Sequence, residues 1–223
     1  MSVHSGPADQ SGQAAQARPL SVPDMVQAKG KRRLSMLTAY DYSIAALVDQ
    51  SGVDMILVGD SLGMVMLGRQ DTASVTLDEM IHHCRSVTAT AKTALVVGDL
   101  PFMTYETGVR DALLNAARMC REGGVRAVKL EGGVRIASRI RAISDAGLLA
   151  VGHIGLTPQS SGQLGSHAAQ GRNADAAQLT AEAAIAAPVA GAQLLLVEHV
   201  PPEVTAAPPE TLTTPARSIG AGI

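Results

Sequence analysis

The sequence predicts an α/β protein built on a parallel sheet, of the (β/α)-barrel kind. Three observations carry this expectation. Short apolar runs alternate with longer segments of helical period, which is the rhythm of strand–helix–strand units. The runs are nearly continuous in apolar residues, as strands covered on both faces must be. The middle runs also end in ionisable side chains, which gathers polar groups at one end of the sheet. The runs are 34–40, 55–60, 94–99, 127–131, 148–154 and 193–199, with a weaker seventh at 215–220. Helices are expected between them at 42–50, 77–91, 108–121, 134–145 and 174–187. An open doubly wound sheet fits the same alternation, but no G-x-G-x-x-G follows the first run, which weakens its dinucleotide-binding form.

Length and composition narrow the partners. The 223 residues, 46% of them apolar, suffice for one domain with a packed core. Residues 1–23 are rich in Ala, Gln, Ser, Gly and Pro and are expected to form a disordered tail, with the barrel domain spanning 24–223. The formal net charge is only -2, with neither a basic stripe nor an acidic tail, so nucleic acid and anionic membrane are poor partners. One Phe, three Tyr and no Trp leave little for a base-stacking platform. There is no apolar run long enough to span a bilayer and no basic start before an apolar stretch, so the chain reads as cytoplasmic. Cys84 and Cys120 form no CxxC pair and read as free thiols.

The chemistry is expected at the strand ends. The second run closes on Asp60, the third on Asp99 and the fourth on Lys129-Leu130-Glu131; the fifth reaches His153 and the sixth Glu198. Strand side chains alternate faces. Lys129 and Glu131 therefore share a face, inward if Leu130 meets the helices, and Asp60, Asp99 and Glu198 are placed above inward Val58, Val97 and Leu196. In a parallel barrel these ends meet at the C-terminal rim, where such barrels carry their active sites. A solvated strand end is the plain alternative for any one of them, but five in succession are hard to reach by accident.

Three converging carboxylates repel one another and call for a cation. Oxygen-only donors favour a hard ion such as Mg²⁺, with Asp60, Asp99 and Glu131 as the ligand candidates. A 2-oxo acid can chelate such an ion, and the charge then stabilises the enolate formed when a neighbouring proton leaves. Lys129 adds positive charge beside the substrate, and Glu198, not needed as a ligand, is free to act as the base. His153 either contacts substrate or a metal-bound water, or is a structural histidine. His82 and His83 read as surface residues, and Met55, Met64, Met66 and Met103 as core or gap-filling residues.

At these residues the sequence resembles the ketopantoate hydroxymethyltransferase family. The resemblance lies in Leu37-Thr38-Ala39-Tyr40-Asp41-Tyr42, Val58-Gly59-Asp60-Ser61-Leu62-Gly63-Met64, Asp99-Leu100-Pro101-Phe102-Met103, Val128-Lys129-Leu130-Glu131-Gly132-Gly133 and Gly152-His153-Ile154-Gly155-Leu156-Thr157-Pro158-Gln159, with Gln170-Gly171-Arg172 and Ile219-Gly220-Ala221-Gly222 beyond. It implies a TIM-type (β/α)₈ barrel of the phosphoenolpyruvate/pyruvate superfamily, assembled as a homodecamer. It implies transfer of a hydroxymethyl group from 5,10-methylenetetrahydrofolate to 3-methyl-2-oxobutanoate, giving 2-dehydropantoate for pantothenate and coenzyme A synthesis, with Mg²⁺ bound. It assigns Asp60, Asp99 and Glu131 to magnesium, Asp60, Ser61, Asp99 and Lys129 to substrate, and Glu198 to the catalytic base. The alternatives are a lyase or mutase of the same superfamily acting on another 2-oxo acid, and an inactive fragment.

Three departures from the family pattern qualify these expectations. The chain stops at Ile223, so the barrel is expected to be incomplete after about seven strands. Residues 160–169 keep the family's length but not its composition. Arg217 and Ser218 stand in what is normally an apolar seventh strand.

Overall fold

The computed structural model describes residues 18–160, 174–201 and 214–219. The first 17 residues of the expected tail, most of the altered loop, Gln170-Gly171-Arg172 and Gly220-Ala221-Gly222 lie outside the described residues.

The chain enters through helix α1 (Val22–Ala28). Ser21 caps it in a reciprocal box with Asp24, which satisfies orphan N–H groups at both residues. Ordered structure therefore starts before the expected boundary at residue 24. Strand β1 (Met36–Thr38) leads to α2 (Tyr42–Gln50), and β2 (Met55–Val58) to the short α3 (Leu62–Val65) and to α4 (Leu77–Thr88). Then follow β3 (Leu95–Asp99), α5 (Val109–Gly123), β4 (Ala127–Glu131), a 3-10 turn at Val134–Ile136, α6 (Ala137–Asp145) and β5 (Leu149–Gly155). A second 3-10 turn (Pro158–Ser160), α7 (Ala174–Val189), β6 (Leu194–Glu198) and β7 (Ala216–Ile219) complete the described elements. The expected helices form, with ends shifted by a few residues, while α1 and α3 were not anticipated.

Side-chain caps also fix the starts of α2 and α4. Asp41 accepts the Ile44 N–H at 2.9 Å ahead of α2, and Thr76 and Glu79 form a second capping box at α4. At the far end of α2, Asp49 accepts the backbone N–H groups of Lys92, Thr93 and Ala94 at 2.8–3.1 Å. Partial burial opposes its ionisation, but these N–H groups outweigh the burial and hold its carboxyl below the usual range. Asp49 thereby fixes the entry into β3.

The seven strands form one parallel sheet in sequential order, β1-β2-β3-β4-β5-β6-β7. That is the strand order of a (β/α) barrel and not of a doubly wound sheet, whose order reverses at a switch point. The seventh strand does pair in parallel with β6, Ala216 beside Leu195 and Arg217 beside Leu196.

Strand parity divides the core in two. Ile56, Val58, Val96, Val128, Leu130, Ala150, Ile154, Leu195 and Val197 pack outward against the helices. Met55, Leu57, Leu95, Val97, Ala127, Val151, Leu194 and Leu196 face inward and pack with Met25 and Ala28 of α1. Several of the inward residues open their strands, so α1 closes the N-terminal mouth while the C-terminal ends stay free for polar side chains. Leu130 meets the helices as expected. Val58 does so as well, which corrects the placement of Asp60 above an inward Val58.

Candidate active site

Strand register assembles the site. Asp99 lies beside Lys129, Glu131 beside His153, and Gly155 beside Glu198. Asp99, Lys129, Glu131, His153 and Glu198 continue the inward parity of Val97, Ala127, Val151 and Leu196, so they converge at the C-terminal rim. Asp60 arrives by a different route. β2 ends at Val58, and the Gly59 turn swings the next residue in. A Cβ at Gly59 would stand 2.9 Å from Ser61 Oγ, so the turn leaves no room for a side chain. The Asp60 N–H then donates to Asp99 Oδ2 at 3.1 Å.

Five of these groups are buried almost completely: Asp60, Asp99, Lys129, Glu131 and His153 are each at most 4% exposed. The Lys129 ammonium stands 3.1 Å from Asp99 Oδ2 and 3.3 Å from Glu131 Oε1. Glu131 Oε1 also meets His153 Nδ1 at 3.3 Å, and its Oε2 accepts the Gln159 N–H at 3.0 Å. On the other side of the ring, His153 Nε2 approaches Glu198 Oε2 at 3.1 Å, without the alignment of a hydrogen bond. Glu198 is only half-buried and faces the open side of the rim. Tyr40 and Ser61 share a 2.8 Å hydroxyl–hydroxyl bond at the edge.

Three carboxylates facing one ammonium leave an excess of negative charge. Burial, reinforced by Asp99, pushes the Asp60 carboxyl up to about 7. Burial also raises Asp99, against the opposing pull of Lys129. Glu131 goes the other way: burial opposes ionisation, but Lys129, His153 and the Gln159 N–H hold it down at about 2. Burial disfavours charge on Lys129, yet Asp99 and Glu131 more than compensate and raise it. His153 is raised as well, with burial and Lys129 opposing and Glu131 and Glu198 prevailing. Asp99 Oδ1 is buried with no partner.

Among the described residues, no group of three or more His, Cys, Asp or Glu side chains is arranged to hold a metal ion by itself. The physical reason is visible in the contacts: Glu131 spends both oxygens on protein donors, and Lys129 supplies the local positive charge. Asp60 and Asp99 retain oxygens for a cation.

Two residues at the centre of the site had no role in the sequence reading. Gln159, buried in the 3-10 turn after β5, donates its amide to Asp60 Oδ2 at 2.8 Å and to the Leu100 carbonyl at 3.0 Å. Its Oε1 accepts the Tyr105 hydroxyl at 2.5 Å. Tyr105, fully buried, in turn accepts the Glu131 N–H at 3.1 Å. The pair links the ends of β2, β3, β4 and β5. The place of Gln159 directly after a site-bearing strand was the available signal for one; nothing in strand parity points to the other. Other readings need correction. His83 is half-buried and its Nδ1 stands 2.7 Å from the Tyr40 carbonyl, so it supports the end of β1 and is not a surface residue. Met55 is core, but Met64, Met66 and Met103 are 43–53% exposed.

Similarity to known proteins places the chain in a family. The model of the family described as ketopantoate hydroxymethyltransferase matches residues 19–223. A protein of Nitratidesulfovibrio vulgaris (strain DP4) named 3-methyl-2-oxobutanoate hydroxymethyltransferase is 54% identical over 223 residues, which is all of this chain and 73% of the relative. One of the same name from Syntrophobacter fumaroxidans (strain DSM 10017 / MPOB) is 49% identical over 203 residues, 91% of this chain and 72% of that protein. Among solved structures, phosphoenolpyruvate phosphomutase from Streptomyces platensis subsp. rosaceus superposes with a TM-score of 0.60 at 16% identity, over 84% of this chain and 74% of that one. Phosphonopyruvate hydrolase does so with a TM-score of 0.59 at 13% identity, over 80% of this chain and 63% of the other. At such identities the structures speak for the barrel fold alone. The family model and the relatives together show that this chain belongs to the ketopantoate hydroxymethyltransferase family.

Proposed function

We propose that the chain transfers a hydroxymethyl group from 5,10-methylenetetrahydrofolate to 3-methyl-2-oxobutanoate, giving 2-dehydropantoate on the route to pantothenate. The observation that carries the reading is the buried set Asp60, Asp99, Lys129, Glu131 and His153 at one rim, with Glu198 open beside it, in a chain of this family.

The site suits a hard divalent cation. Its donors are carboxylate oxygens, Asp99 Oδ1 is buried and unpartnered, and burial drives Asp60 and Asp99 toward the neutral form unless positive charge compensates. Mg²⁺ keeps several waters and needs only one or two protein carboxylates, so a closed cage is not required. Asp60 and Asp99 are the residues that would hold it directly, Glu131 would join them only by giving up one of its protein donors, and the remaining positions would be left to water and substrate oxygens. Bound there, Mg²⁺ supplies Lewis-acid stabilisation to charge developing on the 2-oxo oxygen.

The protein's own groups divide the rest of the work. Lys129, fixed between Asp99 and Glu131, presents a desolvated ammonium to the substrate carboxylate or enolate oxygen. Ser61, held by Tyr40, and Asp60 position the substrate at the mouth. Glu198 takes the proton from the substrate's C3, because it is the one carboxylate of the set that faces open space. The C3 carbon then bonds to the donor's methylene carbon; over the whole reaction both bonds from that carbon to the folate nitrogens break, one water supplies the new hydroxyl, and the nitrogens take up protons to leave tetrahydrofolate. His153, between Glu131 and Glu198, stands 3.1 Å from the base and orients it electrostatically. A homodecameric, cytoplasmic enzyme remains part of this proposal; among the described residues no helix is long and apolar enough to cross a membrane.

The test is product formation. Purified chain with Mg²⁺, 3-methyl-2-oxobutanoate and 5,10-methylenetetrahydrofolate is expected to yield 2-dehydropantoate and tetrahydrofolate in equal amounts. Conversion of the 2-oxo acid that proceeds equally without the folate would favour a lyase or mutase reading instead.

A further inference from the structure

Beside the carboxylate cluster lies a cavity of about 460 Å³ that the chemistry above does not use. This is within the range of small-molecule sites, about 300–1,000 Å³. Its floor is made by Glu131 and Gln159, both members of the site. Phe102, Met103 and Ile136 give it apolar walls, and Arg135 and Arg139 line its α6 side.

Arg135 lies in the 3-10 turn that leads into α6 and Arg139 in the first turn of α6, and both side chains line the cavity. Arg139 is half-buried and held in place: its Nη2 donates to the Glu106 carbonyl at 3.1 Å and its Nε to the Tyr105 carbonyl at 3.4 Å. Arg135 is exposed, and its one hydrogen bond to another element is a long one, 3.4 Å to Ser160 Oγ. The Glu106 side chain also lines the cavity, and Glu131 is already engaged by Lys129. Two guanidiniums against one uncommitted carboxylate leave the cavity cationic. Backbone carbonyls are weak partners for a guanidinium, which is shaped to take a carboxylate in a two-pronged bond.

We infer that this cavity seats the p-aminobenzoyl-glutamate end of the reduced-folate donor, with Arg135 and Arg139 meeting its carboxylates. The inference rests on the proposed function and names the residues that choose the donor. A ligand with a reactive head, a flat apolar middle and an anionic tail matches a cavity lined by Glu131 of the carboxylate cluster, by apolar Phe102 and Met103, and by two arginines. The positive backbone φ of Met103, 63°, keeps its exposed side chain at the cavity wall in a conformation that non-glycine residues seldom adopt.

The experiment is a binding comparison by calorimetry, using tetrahydrofolate and tetrahydropteroate, which lacks the glutamate. Wild-type chain is expected to bind tetrahydrofolate about tenfold more tightly, the scale of one good charge-assisted pair. In Arg135→Gln, and more so in the double variant with Arg139→Gln, that preference is expected to shrink toward unity while tetrahydropteroate affinity stays put. Arg135 is exposed and its bond to Ser160 is long, so its variant reads binding more than folding. Equal wild-type affinity for the two ligands, equal weakening of both in the variants, or no binding of either would overturn the inference. Product formation separates the two claims: turnover with no glutamate preference removes only the inference, whereas no turnover and no folate binding removes the function as well.

Discussion

The Gln159 amide donates to Asp60 Oδ2 at 2.8 Å across 99 residues of chain. The end of β2 and the turn after β5 are thereby fixed to each other, and the Gln159 N–H extends the link to Glu131. Replacing Gln159 by Leu removes a partner from the buried Tyr105 hydroxyl, the Asp60 carboxylate and the Leu100 carbonyl, while the backbone N–H to Glu131 stays. Each such unmet group costs about 1–3 kcal/mol. Gln159→Leu is therefore expected to lower the melting midpoint clearly and to reduce kcat/KM by at least about 100-fold. Gln159→Glu, which keeps an acceptor for Tyr105 but adds a carboxylate beside Asp60, is expected to bind Mg²⁺ more tightly yet turn over poorly. Wild-type stability and rate in both would remove the linking role.

The Asp99 Oδ1 atom, buried and unpartnered, gives a metal prediction. Asp99→Asn is expected to weaken Mg²⁺ binding at least tenfold in a direct titration. Glu131→Gln should weaken it less, because both Glu131 oxygens already serve Lys129, His153 and Gln159. An unchanged titration in Asp99→Asn removes that residue from the ligand set.

α1 closes the barrel mouth through Met25, which is 2% exposed and packs with Met55, Leu95 and Leu194. Truncation of a buried Met costs about 2–5 kcal/mol through lost burial and the cavity left behind. Met25→Ala is expected to lower the unfolding free energy by that amount, read as a lower urea midpoint, while Mg²⁺ affinity at the opposite rim is retained. A midpoint within error of wild type would show that α1 contributes little to the core.

Acid stability should report the α4 capping box. The Arg69 guanidinium, then the Thr76 N–H, hold the Glu79 carboxyl at about 2 against an ordinary 4.5. A lowered folded-state value means that this stabilisation is complete above pH 4.5 and is lost as pH falls through about 2. Glu79→Gln is expected to flatten that part of the stability curve. An identical acid limb in the variant would show that the ion pair is worth nothing measurable.

Much of this architecture was legible in residue pattern. Apolar runs and helical periods locate β2 to β6 and α2, α4, α5, α6 and α7, because parallel strands buried on both faces leave a continuous signal. Parity places Lys129, Glu131, Asp99 and Glu198 correctly, since each follows an unbroken strand. It misplaces Asp60, because β2 ends at Val58 and a glycine turn, not strand alternation, sets the direction of the side chain. Short helices such as α3 leave no period to read. Tyr105 and Gln159 enter from loops, where direction depends on tertiary packing that sequence spacing does not encode.

Glu198 offers the most direct test of the whole arrangement. Exchange of the C3 proton of 3-methyl-2-oxobutanoate in deuterated water, followed by NMR, isolates the proton-abstraction step from folate chemistry. Wild-type chain is expected to exchange that proton only with Mg²⁺ present, and Glu198→Gln to bind Mg²⁺ and the 2-oxo acid yet fall to the background rate. Exchange at the wild-type rate in Glu198→Gln, or undiminished exchange without a divalent ion, would contradict the account.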